Sequence, residues 1–319
     1  MAKITTTALV AALGAYFRKN DTSLIAKMYQ MVDSKEFTTL VTGIKDELVS
    51  ARASVSELLQ AFQCEWTPKG IVVIDPVINK VRPLKMDFEL ECIEDLERTY
   101  EGYLIEEGVK ASDQPFVKWL WENVIIQQLI EDIALNEALA QYAAPVSGVA
   151  GAASNSFDGY LTVIADLITS SALTPITVGA LNATNIFDKT EQFALSIPAL
   201  YRRKGGMVLM SDTNANLLFN DYRNTFPFSY ATDKPFNVKL SNTNITVKGV
   251  LGMEGSDRFV FTPKKNFIRM IDVVDISEEG DINQYVEVQQ DKRVICMFLE
   301  AKLGFGFRNV EELFVSDNA

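Results

Sequence analysis

The feature that most constrains the fold is a helical pattern over residues 115–143, PFVKWLWENVIIQQLIEDIALNEALAQYA. Pro115 suits the first position of a helix, where its missing N–H leaves no bond unmade, and Asp113 or Gln114 could cap it. Pro145 prevents the helix from continuing. At ~1.5 Å per residue such a helix would be about 43 Å long, which is long for one globular domain.

Apolar residues occupy both sides of this helix when it is projected at ~100° per residue. One side carries Trp119, Ile125, Ile126, Leu129, Ile130 and Ile133, and the other carries Val117, Leu120, Trp121, Val124, Leu135, Ala138, Leu139 and Tyr142. Two apolar sides require two packing partners, of which one could be the subunit's own sheet and the other a loop or a neighbouring subunit. The alternative is a central helix in an ordinary mixed core.

Length and charge narrow the class of protein. A chain of 319 residues exceeds the ~250–300 residues at which single cores stop growing, which predicts two domains. The net charge of −12 argues against a nucleic-acid groove, because the densest basic clusters are only residues 202–204 and 264–265. No apolar run approaches the ~20 residues of a membrane span, so no membrane partner is expected.

Reactive side chains are few. The chain has no histidine, which excludes Ser-His and Cys-His nucleophiles, HExxH zinc sites and imidazole proton shuttles. Cys64, Cys92 and Cys296 are odd in number and widely spaced among apolar residues, which is typical of reduced core thiols in a cytoplasm. No Gly-Lys dipeptide occurs, so a phosphate-binding Walker A loop is excluded.

Two clusters of acidic and amide residues have partial metal-site patterns, and neither pattern is complete. The run Asp212-x-Asn214-x-Asn216 copies half of an EF-hand loop, but Leu217 and Arg223 stand where glycine and a bidentate glutamate are needed. The stretch Ser211-Asp212-Thr213 is better interpreted as a helix N-cap. The other cluster lies on the long helix and lacks the histidines of a di-iron bundle; it comprises Glu131, Asp132 and Glu137. We therefore predict no catalytic, cofactor-binding or metal-binding residue and no cofactor.

The rest of the chain alternates between helical and strand patterns. Residues 5–62 hold three amphipathic pieces without a common core, TTTALVAALGAYFRKN, SLIAKMYQMV and SVSELLQAF, which predicts an arm lying over its own or a neighbour's surface. Strict alternation predicts a half-buried edge strand at 84–92 and a strand of about 50 Å at 293–307. An acidic helix is expected at 93–104 and an amphipathic helix at 157–170. An α/β alternation follows, with a strand at 176–179, a helix at 184–195, a strand at 207–210 and a helix at 213–225.

Four short stretches resemble the major capsid proteins of tailed bacteriophages with the Hong Kong 97 type of fold, especially those of phages that infect gut Bacteroidetes. They are GIKDEL (43–48), FDGYL (157–161), FTPKKNFIRMID (261–272) and AKLGFGFRNVEELFV (301–315). The resemblance implies an α+β fold with an N-terminal arm, an extended loop, a peripheral domain with a long spine helix on a long-stranded sheet, and an axial α/β domain. The implied division is arm 1–62, extended loop 63–114, peripheral domain with spine helix 115–150, axial domain 151–255 and peripheral sheet 256–319.

The resemblance also implies a function. The chain would be no enzyme but would assemble with itself into hexamers and pentamers of an icosahedral virion shell that encloses double-stranded DNA without reading its sequence. It would be synthesised in the bacterial host cytoplasm, and portal, scaffolding and head-decoration proteins would be its further partners. The cross-link known for the family's namesake has no residue-by-residue match at Lys69 or at any asparagine. The alternatives are an encapsulin-like compartment shell and a hydrolase that uses two carboxylates.

Overall fold

The computed structural model describes residues 7, 9–16, 33–55, 58–70, 72–91, 93–226, 237–240, 244–272, 286–291 and 294–318. The helices are α1 (9–16), α2 (Ile93–Glu107), α3 (Phe116–Trp119), α4 (Ile126–Asn136), α5 (Tyr160–Thr169), α6 (Ile186–Ser196), α7 (Ala199–Lys204) and α8 (Asp212–Thr225). The strands are β1 (Thr39–Val41), β2 (Glu47–Val55), β3 (Val72–Lys80), β4 (Arg82–Leu90), β5 (Gly206–Ser211), β6 (Asn237–Lys239), β7 (Ile245–Val250), β8 (Val260–Thr262), β9 (Phe267–Ile271), β10 (Val286–Asp291), β11 (Val294–Phe307) and β12 (Phe314–Val315).

The first sheet is organised around β11, which pairs antiparallel with β4, β9 and β10, while β1 joins β9 in parallel. The predicted alternation of β4 is confirmed, because Leu84 and Leu90 are buried and Lys85 and Asp87 are exposed. Strand β11 has 14 residues and spans about 46 Å, close to the prediction. This sheet and the long helix contribute to one hydrophobic core.

The long helix runs from α3 through a π-helical segment, Leu120–Ile125, into α4. Pro115 is its N-cap residue instead of its first helical residue. The prediction that the helix continues to residue 143 is wrong, because it ends at residue 136. The reason is tertiary: the first N–H groups of α5 bond to the carbonyls of Glu137, Ala138 and Ala140 and hold this stretch out of helical geometry.

The second sheet has the order β12-β8-β5-β7-β6 and shares a separate core with α6 and α8. The predicted helices at 157–170, 184–195 and 213–225 and the strand at 207–210 are confirmed within a few residues by α5, α6, α8 and β5. The predicted strand at 176–179 is wrong, because Ile176 makes only one parallel bridge, to Ser316. The Ser211 hydroxyl accepts the Asn214 N–H and caps α8 as predicted.

The amino-terminal region lies on the subunit's own first core where it is described. Leu9 and Leu13 of α1 are buried in that core, and burial together with the Glu122 charge raises the pKa of Tyr16. The predicted helical piece SLIAKMYQMV lies outside the described residues. The predicted helix SVSELLQAF is wrong, because its start lies in β2 and residues 58–62 are irregular. Cross-strand pairing with β3, which local helix propensity does not report, replaces the helix.

Candidate assembly surfaces

Strands β2 and β3 form a hairpin that joins no other sheet in the described part of the chain. Its register runs from the pair Glu47 and Lys80 to the pair Val55 and Val72. Val49 and Ile78 face each other across the two strands, and both are more than half exposed. A two-stranded ribbon is marginally stable by itself in water, so the hairpin needs support from outside its own strands.

The hairpin is fastened at its base by Asn79, a buried residue of β3. Its side-chain Nδ2 donates to the carbonyl of Phe307 over 3.1 Å, and its Oδ1 accepts the Phe307 N–H over 3.0 Å. The side-chain amide thus makes the two hydrogen bonds to β11 that the backbone of a further strand would make. Gly306 makes this approach possible, because a Cβ there would overlap the Asn79 side chain, and a Cβ at Gly304 would overlap the Lys80 carbonyl. From the sequence alone, the two glycines can be predicted only to lie where the backbone packs closely. Nothing in the sequence predicts the bonds that Asn79 makes.

The far end of the hairpin is an irregular segment, residues 58–70, which we call the loop tip. Gln60 Nε2 donates to the Thr67 carbonyl over 2.9 Å, and Lys69 Nζ donates to the Leu59 carbonyl over 2.8 Å, so the two arms of the loop are tied together. Its large apolar side chains nevertheless face solvent, namely Leu58, Leu59, Phe62 and Trp66, the last two 93% and 91% exposed. Such a cluster is typical of a surface that another molecule covers.

The cysteines differ from the sequence expectation. Cys64 lies on the loop tip and is exposed, so its assignment as a core thiol is wrong. Cys296 on β11 is partly buried, and Cys92 lies outside the described residues. Apolar neighbours in the sequence do not mean burial here, because the apolar neighbours of Cys64 are themselves exposed.

A groove of about 500 Å³ lies between α2 and the start of the long helix. Its apolar lining comes from Tyr103, Trp119 and Val124, with the ring centroids of Tyr103 and Trp119 6.0 Å apart. Gly102 leaves room beside them, since a Cβ there would meet nothing within 4 Å. The Tyr100 hydroxyl donates to the Gln114 carbonyl over 2.6 Å and links α2 to the start of the long helix, which fixes the groove walls.

The two predicted apolar sides of the long helix are covered to different degrees. Ile126 and Ile133 on the first side are buried, and so are Val117, Leu120 and Trp121 on the second. Farther along, the second side is open to solvent at Val124, Leu135 and Leu139. Ala138 on this side is buried, so the subunit covers the second side at both ends and leaves part of it open, as a helix with a further packing partner would require.

A tight junction joins the end of the long helix to α5 and to the turn that follows β7. Gly252 packs against this end, since a Cβ there would lie 2.6 Å from the Ala134 carbonyl. The carboxylate of Asp158 accepts Arg82 Nε over 2.9 Å and the Tyr142 N–H over 3.1 Å. Burial, reinforced by the nearby Glu137 charge, raises the pKa of Tyr160 well above its usual value. These contacts join the turn after β7 and the start of α5 to the end of the long helix.

The carboxyl terminus closes the second sheet. Asp317 accepts the N–H groups of Val178 and Gly179 over 2.8 and 3.3 Å, and these bonds lower the pKa of its carboxyl group. The Ser316 hydroxyl accepts the N–H of Phe259, the residue before β8, over 2.8 Å. Leu195 near the end of α6 and Leu200 of α7 are exposed, and the last turn of α7 carries Arg202, Arg203 and Lys204.

The two clusters with partial metal-site patterns make hydrogen bonds within the fold or lie apart from each other. Asn214 donates to Asp257 over 2.9 Å, and Glu254 accepts the Thr213 N–H over 2.8 Å, so both groups secure the start of α8. The carboxylates of the long helix are spread out, because Glu131 is exposed and Glu137 is fully buried. In the part of the chain that is described, no three histidine, cysteine or acidic residues are grouped to hold a metal ion. None of the described helices is long and apolar enough to cross a membrane.

Comparisons with known proteins give structural but no sequence matches. No family model matches the chain, and no curated protein matches its sequence. A chain in the satellite phage P4 procapsid, a structure that includes the size determination protein, is similar with a TM-score of 0.57 at 12% identity, covering 93% of this chain and 98% of that one. A chain in the capsid of the empty GTA particle is similar with a TM-score of 0.54 at 12% identity, covering 89% and 94%. At these identities the likeness shows the fold: a mixed helix and sheet architecture shared with chains of phage-type capsids.

Proposed function

We propose that this chain is the major capsid protein of a tailed bacteriophage, which assembles into hexamers and pentamers of an icosahedral head around double-stranded DNA. The observation that carries the proposal is the fold likeness to a procapsid chain over 93% of this chain. The exposed hairpin, the apolar loop tip and the half-covered helix agree with it, because a shell subunit completes its apolar surfaces with copies of itself. The net charge of −12 suits an inner wall that does not hold the packaged genome tightly.

The finer parts of the hypothesis follow from the resemblance. They are the Hong Kong 97 type of fold, the likeness to phages of gut Bacteroidetes, a virion location, and portal, scaffolding and decoration partners. The division into arm, extended loop, peripheral domain and axial domain is proposed with the limits 1–62, 63–114, 115–150 with 256–319, and 151–255. Within that division the hairpin begins at Glu47, inside the arm. No enzymatic activity is proposed.

The test is purification of the full chain after expression in bacteria, with and without candidate scaffolding proteins from the same genome. We expect large closed particles by electron microscopy and a sedimentation profile without a dominant monomer. A stable monomer under all these conditions would refute the proposal. Particles that hold a host enzyme and no packaged DNA, even beside the phage packaging proteins, would instead support the compartment shell.

A further inference from the structure

We propose that residues 34–41, which we call the strap, hold the second sheet in one position on the first core. The strap is bonded to both sheets and to the turn between β8 and β9, where the chain crosses from the second sheet to the first. Lifting the strap would let the second sheet slide over the first core. The inference concerns a single subunit and goes beyond the proposed function, because it holds whether or not the chain builds a shell.

The strap keeps its own shape through a short turn at its start. The Ser34 carbonyl accepts both the N–H and the hydroxyl of Thr38, over 2.8 and 2.5 Å, and it also accepts the Phe37 N–H over 3.3 Å. Residues 39–41 then continue as β1, parallel to β9. This backbone holds Phe37 in a buried position while the neighbouring side chain of Glu36 is largely exposed.

The strap is anchored on the first sheet by buried contacts. Arg269 Nη1 of β9 donates to the Ser34 hydroxyl over 2.9 Å, and both residues are buried. The Phe37 ring packs against the rings of Tyr160 and Phe267, with centroids 6.3 and 5.6 Å apart. Buried aromatic pairs and hydrogen bonds from a charged group are among the stronger contacts in proteins, so the strap belongs to the first core.

Two lysines connect the strap to the second sheet and to the turn after it. Lys248 Nζ of β7 lies 2.9 Å from Glu36 Oε2, with 19% and 60% of the two side chains exposed. Lys264 Nζ, in the turn between β8 and β9, donates to the Lys35 carbonyl over 3.1 Å. The Thr39 hydroxyl donates to the Lys264 carbonyl over 2.9 Å. The strap therefore bridges the place where the chain passes from one sheet to the other.

The apolar contact between the second sheet and the first core leaves room for such a device. Leu209 of β5, Val250 of β7 and Val260 of β8 are buried in the first core. Apolar burial is non-directional, and packed elements can make small shear movements against each other. Hydrogen bonds and ion pairs depend on distance and angle, so the strap supplies directional contacts that select one position.

The distance between two spin labels tests the strap in the full-length chain. The labels are attached at two exposed positions, Glu131→Cys on the long helix and Asn216→Cys on α8, after the three native cysteines are replaced by serine. An excess of unlabelled chain ensures that only distances within one subunit are measured. We expect one narrow distance distribution for the chain with the unaltered strap. Glu36→Lys sets two ammonium groups against each other and should make the distribution about twofold wider.

Exchange of the two charges is the control. Glu36→Lys combined with Lys248→Glu restores an attractive pair and should return the narrow distribution. Glu36→Gln, which removes the charge without repulsion, should widen it less, and Lys35→Ala, at an exposed position of the strap, should leave it narrow.

Two results would overturn the proposal. One is an unchanged distribution in Glu36→Lys while circular dichroism shows a folded subunit. The other is a distribution that stays wide when the charges are exchanged, because the widening would then not come from the broken pair. Particle formation does not enter the measurement, so a failure of the shell and a failure of the strap are seen separately.

Discussion

The clamp between Asn79 and Phe307 makes a quantitative prediction. Asn79→Ala removes both bonds from the side-chain amide to the Phe307 backbone. Each buried hydrogen bond contributes about 0.5–1.5 kcal/mol, and leaving its partner unpaired costs about 1–3 kcal/mol. We therefore expect the free energy of unfolding to fall by about 2–4 kcal/mol.

Gly306→Ala should act through the same clamp. Its methyl group would overlap the Asn79 side chain and expel it, so the same two bonds would be lost, again at about 2–4 kcal/mol. In the double variant the alanine at 79 removes the overlapping amide, and the Cβ contact at 2.8 Å that remains is one that Gly306→Ala alone already has. The two costs should not add, and the double variant should lie within about 1 kcal/mol of the worse single variant.

The assay is urea unfolding of full-length subunits followed by circular dichroism, with hydrogen exchange of peptides covering residues 300–308. Gly102→Ala is the matched control, since its new Cβ meets nothing within 4 Å and alanine favours a helix by about 0.5–1 kcal/mol. Fast exchange should appear in the clamp variants and not in the control. Costs that add to about 4–8 kcal/mol in the double variant would refute the shared clamp.

Three further predictions concern the core and the termini. Ile126→Asp should prevent folding, because an unpaired buried charge costs several kcal/mol, whereas Val124→Asp, on the open side, should leave circular dichroism and solubility of the subunit unchanged. Leu13→Asp should lower the free energy of unfolding in urea by more than ~2 kcal/mol, since α1 lies in the first core. An unchanged urea midpoint would show that α1 does not contribute to that core. The pKa of Asp317 is lower in the folded state than in the unfolded state, so the ionised carboxylate stabilises the fold fully above pH ~4. This stabilisation is lost as the pH falls through the pKa of the folded state. Asp317→Asn should therefore lower stability at pH 7 and make the urea midpoint depend less on pH on the acid side.

The elements that could be predicted from the sequence are those with a clear local pattern, such as alternating apolar and polar residues in a strand. Strand β4 and the long strand β11 have one buried face each, and α8 has a capped start, so the residue order alone carries the signal. A long helix with apolar residues on two sides was also predictable, but its end at residue 136 was not. These are the parts of the fold in which local preference and tertiary packing agree.

The two wrong helix predictions share one cause, which is that distant backbone groups compete with local preference. The long helix stops early because the first N–H groups of α5 bond to the carbonyls of residues 137–140. The stretch 47–55 forms a strand because it pairs with residues 72–80 across the loop tip. The groove joins α2 to the long helix, and the clamp joins β3 to β11, so neither surface has a continuous sequence signal.

The clamp holds the base of the hairpin, so a small change of angle at the clamp moves the loop tip at the far end by a larger distance. Asn79 is the eighth of the nine residues of β3, so about 23 Å of extended strand lies between the clamp and the tip. A change of ~10° at the base would move the near end of the tip by about 4 Å, which is comparable with the ~4.5–7 Å that separates two packed aromatic rings. Buried substitutions at Gly304 or Gly306 should therefore impair assembly at temperatures where the subunit is still folded. In Gly306→Ala the yield of particles seen by electron microscopy should fall at temperatures at which the circular dichroism signal of the subunit is unchanged, because the hairpin changes direction before its strands separate.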